Sequence, residues 1–397
     1  MHYGYVVVAT SFLVMTLAYG TQNSFGVFFK PMSAEFGWSR ADTSGPFSLG
    51  ILVSGILSIV AGRLSDRFGA GKVVAVGAII SGAGYLLMAD IHSLWQFYLY
   101  YGVLVAIGIS TIYVPIVAMI ARWFTKRRGL MAGIGIAGIG FGMAVIPPLA
   151  SHVLQNLGWR AALMIIGGSV TVAIVLLTLL LRKDAQPAFI NSHNNSEKPG
   201  TNALTTGLTF RQAAKSRQFW MIVVAWIFYG FFYQSAVVHI VPYATDLGLS
   251  AVTAATVLST IGIIGTFGRV AIGFIGDKLG NSRTVAISYT LMGLGLLGLA
   301  FWHTTGMLYI FAVIFGFLYG IGVLLIPLVT EYFGFKALGI ISGVLVFSNN
   351  LGGAGGPPFT GAIFDSTGSY FSAFLICGIL GLAAGFIIFL LKPLAKN

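Results

Sequence analysis

Gly62-Arg63-Leu64-Ser65-Asp66-Arg67-Phe68-Gly69-Ala70-Gly71-Lys72 returns as Gly273-Phe274-Ile275-Gly276-Asp277-Lys278-Leu279-Gly280-Asn281-Ser282-Arg283. Glycine, aspartate, a cation, glycine and a final cation each recur 211 residues later. Two other places keep the interval. Glu35-Phe36-Gly37-x-Ser39 answers Asp246-Leu247-Gly248-x-Ser250 at 211, and Pro147-Pro148 answers Pro357-Pro358 at 210. Nearly one interval at three separated places marks an internal duplication, two related halves in one chain. The repeated stretch is a polar turn between long apolar runs. Its glycines permit the turn and close helix packing, and its aspartate sits near a helix end, where it can pair with an arginine across the bundle. This is structural and gating chemistry, assigned to Gly62, Asp66, Arg67 and Gly69 and to Gly273, Asp277, Lys278 and Gly280.

The flanking runs decide the environment. Of 397 residues, 57% are hydrophobic and only 8% charged. A soluble surface needs roughly a quarter of its residues charged, so most of this surface faces something apolar. Val73–Met88, Ala161–Leu181 and Ser372–Leu391 each approach or exceed the roughly 20 residues that cross a hydrocarbon core. Twelve such segments run approximately 4–29, 43–62, 73–90, 96–121, 129–155, 160–181, 218–243, 253–274, 284–302, 306–330, 338–363 and 370–391. Met1–Phe29 lacks a signal peptide's positive start and carries the polar stretch Tyr19–Ser24, so it reads as the first span.

With the N-terminus inside, Lys30, Arg40 and Arg160 fall outside, Arg269 falls within a span, and the other 18 of 22 cations fall inside. That bias predicts a multi-pass protein of the cell (inner) membrane with both termini cytoplasmic. The net charge of +12 is spread over short loops, which argues against a nucleic-acid partner. The polar stretch 182–217 reads as a cytoplasmic linker. It separates an N-terminal six-helix bundle, 1–181, from a C-terminal one, 218–397.

The repeated turn resembles the signature of the major facilitator superfamily. The resemblance implies an all-α membrane protein of the major facilitator fold, with twelve transmembrane helices in two pseudo-symmetric six-helix bundles. Arg122-Trp123-Phe124-Thr125-Lys126-Arg127-Arg128, followed by small residues at Gly129, Gly133 and Ala137, is similar to the fifth-span motif of the monocarboxylate transporter family. Tyr3-Gly4-Tyr5 and Tyr19-Gly20…Ser24-Phe25-Gly26-Val27-Phe28-Phe29 look like that family's opening. Leu208-Thr209-Phe210-Arg211-Gln212-Ala213…Arg217-Gln218-Phe219-Trp220 resembles its bacterial oxalate–formate branch. The basic run reads as a solvated face that holds topology, and the small-residue spacing as helix packing.

An ionisable side chain inside a span is expensive and therefore a candidate for function. Arg269 is the one lysine or arginine well inside a span, about 12 Å of helix from Asp277. A guanidinium stays charged there and grips a carboxylate bidentately. The resemblance adds that the family's eighth-span arginine binds the substrate carboxylate. In the family's mammalian members it is paired with an aspartate four residues earlier, where this chain has Gly265. Their first-span lysine is replaced here by Asn23. All ten acidic residues lie in or beside loops, so an acidic substrate is expected to supply the missing charge. Oxalate carriers add an eleventh-span lysine. Here that stretch is Phe347-Ser348-Asn349-Asn350-Leu351-Gly352, which favours a monocarboxylate over a dianion.

His239, near the outer end of the seventh span, titrates closest to neutrality. Three readings stay open: it carries a coupled proton, it hydrogen-bonds as a neutral ring, or the proton travels with the substrate–Arg269 pair. Gln22, Asn23, Tyr113, Tyr233, Gln234, Tyr319, Asn349 and Asn350 are further candidate substrate ligands.

The expected function is secondary active transport of a small monocarboxylate, lactate- or pyruvate-like, with a proton by alternating access. Organic-anion exchange of the oxalate–formate type is the alternative. The chain is expected to act as a monomer, without cofactor or metal and not as an enzyme, because no span carries metal-ligand spacing or a serine–histidine–carboxylate set. Gly352-Gly353-Ala354-Gly355-Gly356 lies inside a span and reads as packing or hinge. Positions 58 and 28, the repeat equivalents of Arg269 and His239, are Ser58 and Phe28, so the charge chemistry is confined to the second half.

Overall fold

The computed structural model describes residues 2–124, 128–181, 207–301, 304–334 and 336–391. The linker expected at 182–217 is described only from 207, and the Asp66 side chain also lies outside the described residues. Nearly every described residue is helical. Ten helices are long and apolar enough to cross a membrane. One of them turns sharply at Gly158 (φ 80°, ψ 164°) and is two spans, the fifth and sixth. With Leu338–Thr367 these make the twelve expected.

The first span comprises His2–Asn23 and Phe25–Phe36, broken at Ser24. Arg40–Phe68 is the second and Ala70–Met88 the third. The fourth runs from Leu94 through a wide π-helical stretch at Tyr98–Val105, then breaks before Tyr113–Trp123. Arg217–Asp246 is the seventh, Ala251–Leu279 the eighth and Asn281–Phe301 the ninth. The tenth is Thr305–Tyr319, a tighter turn at Gly320–Leu324, and Leu325–Phe333. Leu338–Thr367 is the eleventh and Phe371–Phe389 the twelfth.

The duplication is written into the backbone. Gly37 and Gly248 (φ 66° and 88°), Gly69 and Gly280 (φ 87° and 90°), and Gly158 and Gly368 (φ 80° and 68°) all adopt left-handed dihedrals. Within each pair the interval is again 211 or 210. Only glycine adopts these dihedrals without a Cβ penalty, so the repeat preserves the turns that start and stop the spans.

Two compact units emerge. One comprises residues 1–188, 237–263 and 357–368, and the other 189–236, 264–356 and 369–397. In the first, spans one and five cross closely. A Cβ at Gly142 would lie 2.1 Å from the Thr16 carbonyl oxygen, and one at Gly138 would lie 2.2 Å from that of Phe12. Phe25 packs among Phe47, Phe97 and Tyr101. The expected packing face of the fifth span is displaced. Gly133 has nothing described within 4 Å, and Gly138 and Gly142 make the close approach instead. A helix turns 100° per residue, so Gly133 stands on a different side of the helix from Gly138 and Gly142.

In the second unit spans seven and eleven repeat that crossing. A Cβ at Gly352 would lie 1.9 Å from the Ile227 carbonyl oxygen, one at Gly356 2.2 Å from that of Phe231, and one at Gly230 1.9 Å from that of Asn349. Gly352 and Gly356 of the glycine run therefore serve close packing, one of the two readings the sequence offers. Tyr229 and Tyr289 stack at 5.0 Å. Ahead of the seventh span, Thr209 and Gln212 form a reciprocal capping box on Phe210–Ala213, and Leu208 N–H donates to the Phe333 carbonyl at 2.8 Å.

Candidate functional site

Arg269 is placed by two backbone approaches. A Cβ at Gly268 would lie 2.1 Å from the Phe317 carbonyl oxygen, and one at Gly320 2.5 Å from the Arg269 nitrogen. The eighth and tenth spans therefore touch almost backbone to backbone, which sets the guanidinium 4.9 Å from the centre of the Tyr319 ring. Tyr319 stacks on Tyr233 at 4.7 Å with their planes 3° apart. Phe315 continues the stack. Arg269 Nη1 is buried without a hydrogen-bond partner, and among the described residues the guanidinium makes no ion pair. Its neighbours Phe267 and Val270 are 68% and 79% exposed, so the helix shows lipid an apolar face. A buried guanidinium donor left unpaired is costly.

Gly265 explains the missing aspartate. A Cβ there would lie 2.9 Å from Tyr319 Cδ1, so the tyrosine ring occupies the space an acidic side chain would need. The same ring that supports Arg269 crowds that position.

His239 belongs to the other compact unit. It is fully buried, its ring lies edge-on to Phe29 at 5.3 Å, and Nε2 is 2.9 Å from the Pro357 carbonyl oxygen. A carbonyl oxygen only accepts, so Nε2 carries the hydrogen. Further protonation would then fall on Nδ1. Replacement by glutamine, which also donates, preserves this contact. We expect His239→Gln to bind substrate as the parent does and His239→Phe to be destabilised, measured by melting temperature with and without the acid.

The other sequence candidates divide. Tyr233, Tyr319 and Arg269 come together. Gln234 packs beside Gly353, and Asn349 lies against Gly230 with its Oδ1 buried and unpartnered. Asn350 is half-buried. Asn23 donates to its own helix at the Tyr19 carbonyl (2.8 Å), while the Gln22 carbonyl accepts from Tyr101 at 3.4 Å beside the break in the first span. Tyr113 is partly exposed, just after the break in the fourth span. Sequence reasoning missed Tyr229 and Phe315. Their i, i+4 spacing to Tyr233 and Tyr319 was a usable signal. In the repeated turns, Asp277 makes no ion pair across the bundle among the described residues, and Lys278 instead rests on the Phe274 ring at 4.3 Å. No group of described residues is arranged to hold a metal ion.

Known proteins agree with this architecture. The model of the Major Facilitator Superfamily matches residues 11–357 and 272–397. Monocarboxylate transporter 13 of Rattus norvegicus is 30% identical over 96% of this chain and 87% of its own length. Monocarboxylate transporter 12 of Mus musculus is 29% identical over 95% and 82%. Among solved structures, a bacterial homolog of the human lysosomal transporter Spinster, inward-facing and occupied, superposes with a TM-score of 0.75 at 17% identity, covering 98% of this chain and 97% of that one. It attests the fold alone. Twelve apolar spans, a duplicated glycine–aspartate turn and these relatives converge: the chain is a multi-pass membrane transporter, not an enzyme, and belongs to the monocarboxylate transporter family of the major facilitator superfamily.

Proposed function

We propose that this protein moves a small monocarboxylate together with a proton across the cell membrane by alternating access, with both termini in the cytoplasm. Arg269 is the carboxylate ligand and carries the reading: a partly buried guanidinium on an aromatic support, with an unpartnered Nη1 and with Gly265 where a counter-ion would stand. One cation suits one carboxylate, and the names of the relatives point to the same substrate class. The N-terminal bundle 1–181 and C-terminal bundle 218–397 are the moving bodies of this reading, joined by the 182–217 linker.

Coupling to a proton follows from charge. A lone anion entering a cell that is negative inside moves against the potential, and a co-transported proton cancels that cost. His239 and the substrate–Arg269 pair are the two proton carriers considered. Vesicles loaded with protein and given an acid exterior separate the possibilities. Acid-stimulated net uptake of labelled lactate or pyruvate supports symport. Uptake that needs internal substrate and ignores the pH gradient refutes symport in favour of exchange. His239→Gln is expected to lose the acid stimulation while keeping substrate binding, and unchanged proton stoichiometry assigns the proton to the substrate–Arg269 pair.

A further inference from the structure

Glu35 and Asp246 occupy the same place in the two repeats, 211 residues apart, and they have different partners. Glu35 stays within its own half. It accepts from Trp159 Nε1 at 2.6 Å and pairs with Arg160. The equivalents of Trp159 and Arg160 at the 210 interval are Ser369 and Tyr370, neither a cation. Asp246 pairs across the halves instead, with Lys30 Nζ at 2.6 Å and Arg40 Nη2 at 2.8 Å. The positions equivalent to Lys30 and Arg40 are Val241 and Ala251, so this arrangement has no mirror image.

A second acid of the same half completes it. The Asp365 carboxylate accepts from the backbone N–H groups of Arg40 (2.8 Å) and Ala41 (2.9 Å), two of the orphan donors that open the second span. An anion at a helix N-terminus is favourable, and Ser39 caps the next donor at Asp42. The Arg40 guanidinium lies 3.5 Å from the centre of the Phe364 ring, and its side chain is only 14% exposed. Gly361 permits the approach, since a Cβ there would lie 2.7 Å from the Ala41 nitrogen. Just beneath, a Cβ at Gly26 would lie 3.0 Å from the Val238 carbonyl oxygen and 3.7 Å from the Val241 Cβ.

We propose that Asp246 and Asp365, gripping Lys30 and Arg40, form an ionic clasp that holds one side of the transport path shut and opens once in each cycle. The proposal rests on the alternating-access reading above. Its physical basis is the broken symmetry. In the first half the acid is satisfied at home, and in the second half it is left to bind the opposite half. Partly exposed ion pairs are individually weak and separable, and three contacts on one arginine make their loss cooperative. A seam of this kind suits a lock that must reopen.

The test uses the single native cysteine, Cys377, which is fully buried and leaves labelling clean. Val241→Cys places a buried thiol at the Gly26 seam. In intact cells a membrane-impermeant maleimide should label it slowly in the parent and roughly five-fold faster in Asp246→Asn. Lys30→Gln and Arg40→Gln should each give a smaller increase, because one pair survives. The exchanged pair Arg40→Asp with Asp246→Arg should return labelling towards the parent rate. A parent-like rate in folded Asp246→Asn overturns the clasp. If Asp246→Asn does not fold, the two single cation variants decide, and no increase in either overturns it. Labelling needs no substrate, so a failed uptake assay with these rates intact rejects the proposed function and leaves the clasp standing.

Discussion

Arg269→Ala is expected to abolish accumulation of the acid. Removing one member of a buried, hydrogen-bonded charge pair costs about 2–5 kcal/mol. At 1.4 kcal/mol per decade that is a loss of roughly 30- to 3,000-fold in transport efficiency. Arg269→Lys should recover only a small part, because an ammonium is a point charge and cannot offer two parallel donors to a carboxylate. Initial uptake rates in reconstituted vesicles, with melting temperature as the control for folding, measure both. Wild-type uptake by Arg269→Ala would reject the carboxylate assignment. Gly265→Asp tests the same site from the opposite direction. It supplies the missing counter-ion but crowds the Tyr319 ring, so substrate binding should fall and the Tyr233–Tyr319 stack should be disturbed.

The second large effect lies in the crossing of spans seven and eleven. Gly352→Leu puts a side chain where even a Cβ stands 1.9 Å from the Ile227 carbonyl oxygen. That neighbour is backbone and cannot rotate away. Overpacking a tight interior costs about 1–3 kcal/mol when side chains can yield, and here the helices themselves must part. A fall in melting temperature of about 10 °C, or loss of folded protein, is expected. Gly142→Leu in the equivalent crossing should behave alike, with the Thr16 carbonyl oxygen at 2.1 Å. Gly133→Ala, in open space, should raise stability slightly through helix propensity. Equal melting temperatures for Gly352→Leu and Gly133→Ala would remove the packing argument.

That Arg269 lies inside a span was legible because the cost of a charge there is a property of the residue and its apolar neighbours, both visible in the chain. Tyr233 and Tyr319 were visible only as polar groups in spans, among several of similar standing. Their selection came from the glycines at 268 and 320, which bring two helix backbones together and so choose which tyrosine meets the arginine. His239 shows the reverse. Its identity drew attention, yet its tautomer is set by the Pro357 carbonyl, 118 residues away.

The duplicated glycine–aspartate turn determined the number of spans, the positions of the turns and the two-fold plan, because each depends on local residues: apolar length, and glycines that accept left-handed dihedrals. It left the partners of equivalent groups undecided. Glu35 and Asp246 are interchangeable in sequence terms, and only the folded chain separates them, one held by Trp159 and Arg160 and the other by Lys30 and Arg40. Pairing depends on which side chains arrive from distant segments, and a local pattern cannot encode that. The repeat therefore prescribes the architecture, and tertiary contact decides where its symmetry breaks.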